Sequence, residues 1–294
     1  MAIARRGRTP LDRFNEARRL NKRWPVVLCE GDSWFGYPGT NIPLEIGRLA
    51  NFQIVPLNLQ DVGHEITEML AGAQRRKLRE RLTTYKFDLL LFSGGGNDIV
   101  GDEFIHFLHE AAANQTWTDW IDRERFARRM QQVRDSYLDL IALRNDGKNP
   151  ECPIVVHGYD RPIPSKTPFE LFGLFPLTGP WMHPSLRKRR IVNAEDQVQI
   201  AGWCIDQFNA MLRELASQHA GFHYVNAVGT LERGDWANEI HPTASGFRKL
   251  AGKYLQPLEK LLPGRFREPV ASSAEGRLPA AARRRGRTKG INVR

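Results

Sequence analysis

Two loops in the sequence combine glycine with a polar side chain of the kind that acyl transfer needs. Gly31-Asp32-Ser33 offers a serine hydroxyl, and Gly95-Gly96-Asn97 offers a side-chain amide. Gly63, between them, lets a backbone N–H approach a ligand closely because it has no Cβ. Acyl transfer requires a nucleophile and N–H donors for the developing oxyanion. We therefore predict Ser33 as the nucleophile, with the backbone N–H groups of Ser33 and Gly63 and the Asn97 amide as oxyanion donors.

Each of these groups follows a short apolar run, which is typical of a strand buried in a parallel sheet. Such runs predict five strands, at residues 26–29, 52–59, 87–92, 153–157 and 222–225. Apolar residues at helical spacing predict helices at residues 11–24, 40–49, 65–85, 99–113, 119–143, 194–220 and 243–262. Parallel strands joined by right-handed helical crossovers give a three-layer α/β/α sandwich, the fold class that we predict. Its strands end at one common edge, where ligands bind.

A base for the serine hydroxyl is found at His241, in the loop between the fifth predicted strand and the last predicted helix. That loop emerges at the same edge of the sheet as Ser33. Imidazole is the usual base for a serine nucleophile. A lone loop histidine is more often a solvated surface residue, and its coincidence with Ser33 is what favours the catalytic role.

In chain order, Gly31-Asp32-Ser33, Gly63, Gly95-Gly96-Asn97-Asp98 and His241-Pro242 resemble the four sequence blocks of the SGNH, or GDSL-type, hydrolases. The resemblance covers roughly residues 25–262. It implies a flavodoxin-like sandwich with a five-stranded parallel sheet in the order 2-1-3-4-5. It also implies a serine ester hydrolase of the esterase, lipase, thioesterase or O-acetylesterase type. Ser33 would be its nucleophile and His241 its base, with neither a metal nor an organic cofactor.

The sequence departs from that family at the residue that would orient the histidine. The family usually has an aspartate three residues before the histidine, where this chain has Asn238. An amide oxygen accepts the imidazole N–H but carries no charge to stabilise imidazolium. We predict that Asp235 supplies the carboxylate, directly or through Asn238; the alternative is a serine–histidine dyad with Asn238 as a neutral acceptor. Asp32 is a further candidate, and Glu239 is less favoured because adjacent extended residues point apart.

Residues near the same edge are candidates for the substrate pocket: His64, His157 and Tyr159. The proline- and aromatic-rich segment 161–192 is predicted to be an ordered insertion that walls the acyl site or serves only as a structural flap. A second interpretation is a metal-dependent phosphoesterase that uses Asp32, His64, Asn97, Asp98 and His241 as ligands. A third is a catalytically silent binding protein in which Asn238 marks a lost triad.

Charge is concentrated at the two ends of the 294-residue chain, whose net charge is +10. Residues 1–24 carry a net charge of +6 and residues 264–294 carry +7, which leaves −3 for residues 25–263. We predict a basic N-terminal lead-in at residues 1–24, a hydrolase-like domain at 25–263 and a basic disordered tail at 264–294. Such a tail can bind nucleic acid or anionic surfaces weakly and without sequence selection.

Three widely spaced cysteines, Cys29, Cys152 and Cys204, form no Cys-x-x-Cys motif and predict neither a disulfide framework nor a zinc site. Reduced thiols and the lack of an apolar segment near the N-terminus predict a cytoplasmic protein. No apolar run approaches the roughly 20 residues of a membrane span. The expected partner is a small-molecule ester.

Overall fold

A five-stranded parallel sheet forms the centre of the molecule. The computed structural model describes residues 9–60, 63–171 and 175–267. The sheet consists of β1 Val26–Gly31, β2 Val55–Asn58, β3 Leu89–Ser93, β4 Ile154–His157 and β7 Phe222–Val225. A separate antiparallel pair, β5 Phe169–Leu171 and β6 Phe175–Thr178, lies between β4 and β7 in the chain. The sheet order β2-β1-β3-β4-β7 confirms the predicted order 2-1-3-4-5.

The register of the sheet places apolar residues side by side in its centre. Leu28 of β1 lies opposite Leu57 of β2 and Leu90 of β3, and all three side chains are buried. Strands that are covered by helices on both faces read as continuous apolar runs rather than as alternating ones. This is why β1 and β3 could be predicted from composition alone.

Helices cover the sheet as the predicted three-layer sandwich requires. They are α1 Pro10–Leu20, α2 Ser33–Gly36, α3 Ile42–Leu49, α4 Ile66–Met69, α5 Gly72–Thr84, α6 Gly96–Val100, α7 Arg123–Asp146, α8 Met182–Lys188, α9 Ala194–Gln218 and α10 Ala244–Leu261. Short 3-10 helices span Asp102–Phe107 and Arg233–Asp235. α3 packs against α10, and α7 packs against α5. Tyr137 of α7 also meets Phe208 of α9, with 6.4 Å between the ring centroids.

Two predicted helices are shorter than the sequence indicated. The helix predicted at 65–85 is divided into α4 and α5. The second of these begins at Gly72, whose φ of +51° interrupts a continuous helix and costs glycine little. The helix predicted at 99–113 ends after Val100. At Gly101 the chain turns so tightly that an added Cβ would lie 2.3 Å from the Asn97 carbonyl oxygen. The insertion at 161–192 contains β5, β6 and α8.

Both ends of the described chain pack against the sandwich. Phe14 of α1 is buried and meets the Tyr85 ring edge to face, with 5.2 Å between the centroids. Phe266 is buried, and the Arg267 N–H donates to the Leu49 carbonyl at 2.9 Å. Most of the predicted tail, residues 268–294, lies outside the described residues. Within the described part of the chain, no helix is long and apolar enough to cross a membrane.

Candidate active site

Ser33 stands at the carboxyl end of β1, as the first residue of α2. The Asp32 side chain caps this short helix and accepts from the Trp34 N–H at 3.0 Å. The N–H groups of a first helical turn have no intrahelical acceptor, so the Ser33 N–H is available to a ligand. Gly31 is needed before this turn because a Cβ there would lie 2.7 Å from the Ser93 Cβ. The strand end therefore presents both the hydroxyl and the N–H of Ser33 at the edge of the sheet.

His241 lies against Ser33 although the two are 208 residues apart in the chain. Its Nε2 is 2.8 Å from the Ser33 Oγ, and its Nδ1 is 3.1 Å from the Asn238 Oδ1. The same amide oxygen accepts from the backbone N–H groups of Ile240, at 3.1 Å, and His241, at 2.9 Å. These two N–H donors identify which side-chain atom of Asn238 is the oxygen. Because that oxygen can only accept, the proton of the neutral imidazole is assigned to Nδ1. The lone pair of Nε2 then faces the serine hydroxyl, as general-base catalysis requires.

Burial decides the charge of this histidine. His241 is only 4% exposed, and desolvation lowers its pKa to about 3. The imidazole is therefore neutral at physiological pH and in the form that accepts a proton. The same burial makes the imidazolium, which forms when the Ser33 proton is transferred, more costly than it would be in water.

Asp235 does not take the position that we predicted for it. Its carboxylate accepts from Lys249 Nζ at 2.6 Å and from the Glu232 N–H at 2.9 Å. It lies at the end of a 3-10 turn, and the hydrogen bond from Lys249 is the main reason that its pKa is lowered. The group at the Nδ1 of His241 is Asn238, which corrects the assignment of Asp235 as the orienting acid in favour of the neutral alternative.

A hydrogen bond connects the loop that contains Asn97 to the loop that contains Gly63. The Asn97 Nδ2 donates to the His64 carbonyl at 3.0 Å, which leaves its second N–H for another acceptor. Asp98, buried beside it, accepts from the Ile66 N–H at 2.7 Å, and desolvation raises its pKa to about 6. Gly63 takes a φ of +87°, in the left-handed region that favours glycine. The oxyanion roles of Gly63 and Asn97 stay predictions.

A narrow cleft opens beside Ser33, with a cavity volume of about 20 Å³. Ser33 and Asn97 both line it, and so does Tyr159, one of the predicted pocket residues. Its apolar wall consists of Trp34, Val100, Pro162, Ile205, Trp236 and Ile240. Pro162 is the contribution of the insertion, which therefore supplies part of the wall.

Two other predicted pocket residues have different positions. His157 is 2% exposed and lies beneath the cleft rather than in its wall. His64 is placed beside Asn97 through its backbone carbonyl. His157 is the last residue of β4 and His64 follows β2, but the direction of a side chain near a strand end depends on the turn that follows.

A second serine–histidine pair, which the sequence analysis missed, lies under the nucleophile turn. The Ser93 Oγ is 2.6 Å from the Asp32 Oδ1 and 2.8 Å from the His157 Nε2. The Tyr159 hydroxyl donates to the other oxygen of Asp32. The carboxylate thus contacts the serine and not the imidazole, which differs from a catalytic triad. Ser93 is also fully buried, so it offers no surface to a substrate. Its hydrogen bond to Asp32 stabilises the turn that carries Ser33.

A signal for this network was present in the sequence. Ser93 and His157 are the last residues of β3 and β4, which are neighbours in the sheet with Phe92 opposite Val156. Asp32 directly follows β1, on the other side of β3. Aligning the carboxyl ends of the predicted strands would have placed the three polar residues next to one another.

The carboxylates of the metal-site interpretation have other partners. The Asp32 carboxylate accepts hydrogen bonds from Trp34, Ser93 and Tyr159. The Asp98 carboxylate accepts hydrogen bonds from Ile66 and Thr67. Among the residues that the structure describes, no three His, Cys, Asp or Glu side chains converge on a point where they could hold a metal ion.

Comparison with known proteins finds similarity at the level of structure. No family model matches the chain. No curated protein matches it either. A solved structure named as a GDSL-like lipase from Bacteroides ovatus aligns over 83% of this chain with 15% identity and a TM-score of 0.46, and this chain spans only 55% of that protein.

Two further structures align over more of their own length. One, named as an SGNH hydrolase from Slackia heliotrinireducens, covers 80% of this chain and is itself covered completely, with 11% identity and a TM-score of 0.47. The other, named as an arylesterase from Agrobacterium tumefaciens, covers 81% of this chain and is covered completely, with 14% identity and a TM-score of 0.49. These names include the family that the sequence resembles.

Proposed function

We propose that this chain is an ester hydrolase of the SGNH type that acts through an acyl-enzyme on Ser33. The observation that carries the proposal is the 2.8 Å contact between the Ser33 Oγ and the Nε2 of a buried, neutral His241. The second imidazole nitrogen is held by Asn238. The proposal is supported by the combination of a serine hydroxyl, an imidazole in the tautomer that can accept its proton, and an adjacent cleft.

Acylation begins when His241 Nε2 takes the proton of the Ser33 hydroxyl as the Oγ attacks the ester carbonyl. The carbonyl oxygen gains negative charge, which the Ser33 N–H, the Asn97 amide and the Gly63 N–H stabilise by donating hydrogen bonds. The tetrahedral intermediate collapses when the bond to the alcohol breaks, and His241 returns the proton to the leaving oxygen. The acyl group remains on Ser33 as an ester.

Deacylation repeats the cycle with water as the nucleophile. His241 takes a proton from the water, whose oxygen attacks the acyl carbonyl, and then returns the proton to the Ser33 Oγ as the acid leaves. The mainly apolar lining of the cleft supports an ester substrate, because apolar side chains contact acyl or alcohol groups favourably. All bonds are made and broken by residues of this chain and water, so the proposal invokes neither a metal nor an organic cofactor.

Covalent labelling tests the proposal directly. A fluorophosphonate should label Ser33, and p-nitrophenyl acetate should be hydrolysed by the native protein but not by Ser33→Ala. Ser217→Ala is the matched control, because Ser217 is an exposed serine of α9. Labelling at Ser93, or full hydrolysis by Ser33→Ala, would contradict the assignment of the nucleophile.

The rival functions predict different results in the same assay. A catalytically silent binding protein would neither react with the fluorophosphonate nor hydrolyse the ester, and Asn238 is the observation that favours it. A metal-dependent phosphoesterase would hydrolyse p-nitrophenyl phosphate and lose activity with a chelator. The exchange of the orienting aspartate for an amide lowers turnover in a serine protease by about 10⁴ without abolishing it, so Asn238 is compatible with a slow enzyme.

We further propose that the enzyme is cytoplasmic, because Cys29, Cys152 and Cys204 are free thiols, which a reducing compartment favours. We also propose that residues 268–294 bind polyanions weakly. This segment carries seven Arg or Lys residues against two acids, and such a charge favours anionic partners. Deletion of 268–294 should leave ester hydrolysis intact and reduce salt-sensitive retention on heparin resin. Loss of hydrolysis on deletion would show that the segment is part of the domain.

A further inference from the structure

The proposed mechanism requires a buried positive charge that Asn238 cannot balance. When His241 takes the Ser33 proton, its imidazole becomes a cation inside the protein. Asn238 offers an amide oxygen at 3.1 Å but no negative charge. In an ordinary triad the carboxylate stabilises this cation.

Two aromatic rings lie against His241. The centroid of the Tyr37 ring is 4.9 Å from that of the imidazole, with an interplanar angle of 45°. The centroid of the Trp181 ring is 5.5 Å away, with an angle of 73°. A cation that lies over the face of an aromatic ring, within about 6 Å of the ring centroid, is attracted by the negative charge of that face, and the attraction is strongest for tryptophan. The centroids of both rings are within that distance of the imidazole centroid.

We propose that Trp181 and Tyr37 stabilise the imidazolium form of His241 by cation–π attraction, in the role that a triad carboxylate has elsewhere. This inference rests on the proposed function, since it concerns the charge that appears during proton transfer from Ser33. The two aromatic residues act through His241 and form no bond to the substrate.

The structure holds Trp181 beside His241 by means of Glu239, two residues before the histidine. The Glu239 carboxylate is buried and accepts from the backbone N–H groups of Trp181, Met182, at 2.6 Å, and His183, at 3.2 Å. The start of α8 is therefore attached to the catalytic loop. This gives the insertion at 161–192 a role in catalysis, because it brings an aromatic ring to the base.

Tyr37 is held from the other side, by the nucleophile segment. It follows α2, and its carbonyl accepts from the Asn41 Nδ2 at 3.1 Å. Its ring also packs on Phe247 of α10, with 5.7 Å between the centroids. The two rings thus come from separate parts of the chain, and each is fixed by contacts of its own.

Fluorination of Trp181 distinguishes electrostatic support from simple packing. Fluorine substituents change the volume of an indole ring little but progressively weaken the negative charge of its face. With mono-, di- and trifluorotryptophan placed at position 181, the turnover number for p-nitrophenyl acetate and the rate of fluorophosphonate labelling at Ser33 should fall stepwise. The total loss should be about 2- to 30-fold, the range expected from the removal of one cation–π contact. The Michaelis constant should change little.

The same fluorinated series at Trp203 is the matched control. Trp203 lies on α9 under Arg123, and substitution there should leave both rates unchanged. A second series compares Tyr37→Phe, which keeps an aromatic face, with Tyr37→Leu, which does not; only the second should lower the labelling rate strongly.

Three results would overturn the inference. The first is a flat response to fluorination at position 181 while Ser33→Ala is inactive, which would leave the proposed function standing. The second is an equal loss with Tyr37→Phe and Tyr37→Leu in folded proteins. The third is the absence of labelling at Ser33 in the native protein, which would remove the proposed function and this inference together.

Discussion

The Nδ1 of His241 and the side-chain oxygen of Asn238 lie 3.1 Å apart, at the position where the SGNH hydrolases, which the sequence resembles, usually have an aspartate. The same oxygen accepts from two backbone N–H groups, so the amide is held firmly. Asn238 therefore orients His241 as an aspartate would, but it supplies no negative charge to the imidazole. This separation of orientation from charge can be tested by substitution.

Asn238→Asp should raise turnover at neutral pH. The new carboxylate can accept from the same donors, and its charge would raise the pKa of His241 from about 3 and stabilise imidazolium. By comparison with the loss of about 10⁴ for the reverse change in a protease, we expect a gain of about tenfold or more in the turnover number. The acid limb of kcat/KM should also move to higher pH, because a base with a higher pKa is protonated earlier.

The measurement is kcat and kcat/KM for p-nitrophenyl acetate across the pH range in which both proteins stay folded. Asn114→Asp, at an exposed turn, adds the same charge outside the cleft and serves as the control. An unchanged acid limb in Asn238→Asp would mean that position 238 does not set the protonation of His241.

Asp235→Asn should retain turnover within about threefold, because the carboxylate contacts Lys249 and the Glu232 N–H instead of His241. Its effect should be on stability. The pKa of Asp235 is lowered in the folded state, so its contribution is present above the ordinary Asp pKa and disappears as the pH falls through the folded-state pKa. The thermal midpoint should therefore fall at neutral pH and match that of the native protein in acid. Lys249→Gln should show the same pattern of turnover and thermal midpoint. A hundredfold loss of turnover in Asp235→Asn would instead identify Asp235 as the third catalytic group.

The position of Asn238 could not have been derived from sequence spacing. The catalytic loop folds back on itself, with the N–H groups of Ala237 and Asn238 both directed at the His241 carbonyl, at 2.8 and 3.4 Å. That turn brings residue 238 under the imidazole and sends residue 235 towards α10. The sheet, in contrast, could be predicted, since buried strands such as β1 and β3 have a composition that depends little on their neighbours. Strand order and parallel direction then bring the loops of Ser33, Asn97 and His241 to one edge.

Asn97→Ala should lower the turnover number by about 10²–10³ while the Michaelis constant changes little, because an oxyanion donor acts mainly in the transition state. The side chain also holds the His64 carbonyl at 3.0 Å, so the thermal midpoint has to be measured in parallel. Asn149→Ala is a useful comparison, since Asn149 is a buried asparagine whose amide donates to the Leu82 and Tyr85 carbonyls. If Asn97→Ala were to lose stability and keep its turnover, the residue would be only a link between two loops.

Ser93→Ala separates the two serine–histidine pairs of the site. Removal of the Ser93 hydroxyl leaves the Asp32 Oδ1 and the His157 Nε2 each without one partner in a buried position. Loss of a buried hydrogen-bond partner costs about 1–3 kcal/mol, so the free energy of unfolding should fall by about that amount. Labelling by fluorophosphonate should persist at Ser33, because the Ser33–His241 contact does not involve Ser93. Turnover should fall less than it does in Ser33→Ala. The loss would come from a less rigid Asp32 cap, which positions the turn of Ser33.

The controls for Ser93→Ala follow from the geometry. Ser217→Ala removes an exposed hydroxyl and should change neither stability nor labelling. Ser93→Thr keeps a hydroxyl in the network but adds a methyl group next to Gly31. The space there is tight, since a Cβ added to Gly31 would lie 2.7 Å from the Ser93 Cβ, so this variant should be destabilised by crowding. If Ser93→Ala stayed folded and lost all labelling while Ser33→Ala kept it, the reactive serine would be Ser93. Substrate would then have to reach the buried Ser93–His157 pair from solvent. The cleft beside Ser33 would not be the site of the reaction.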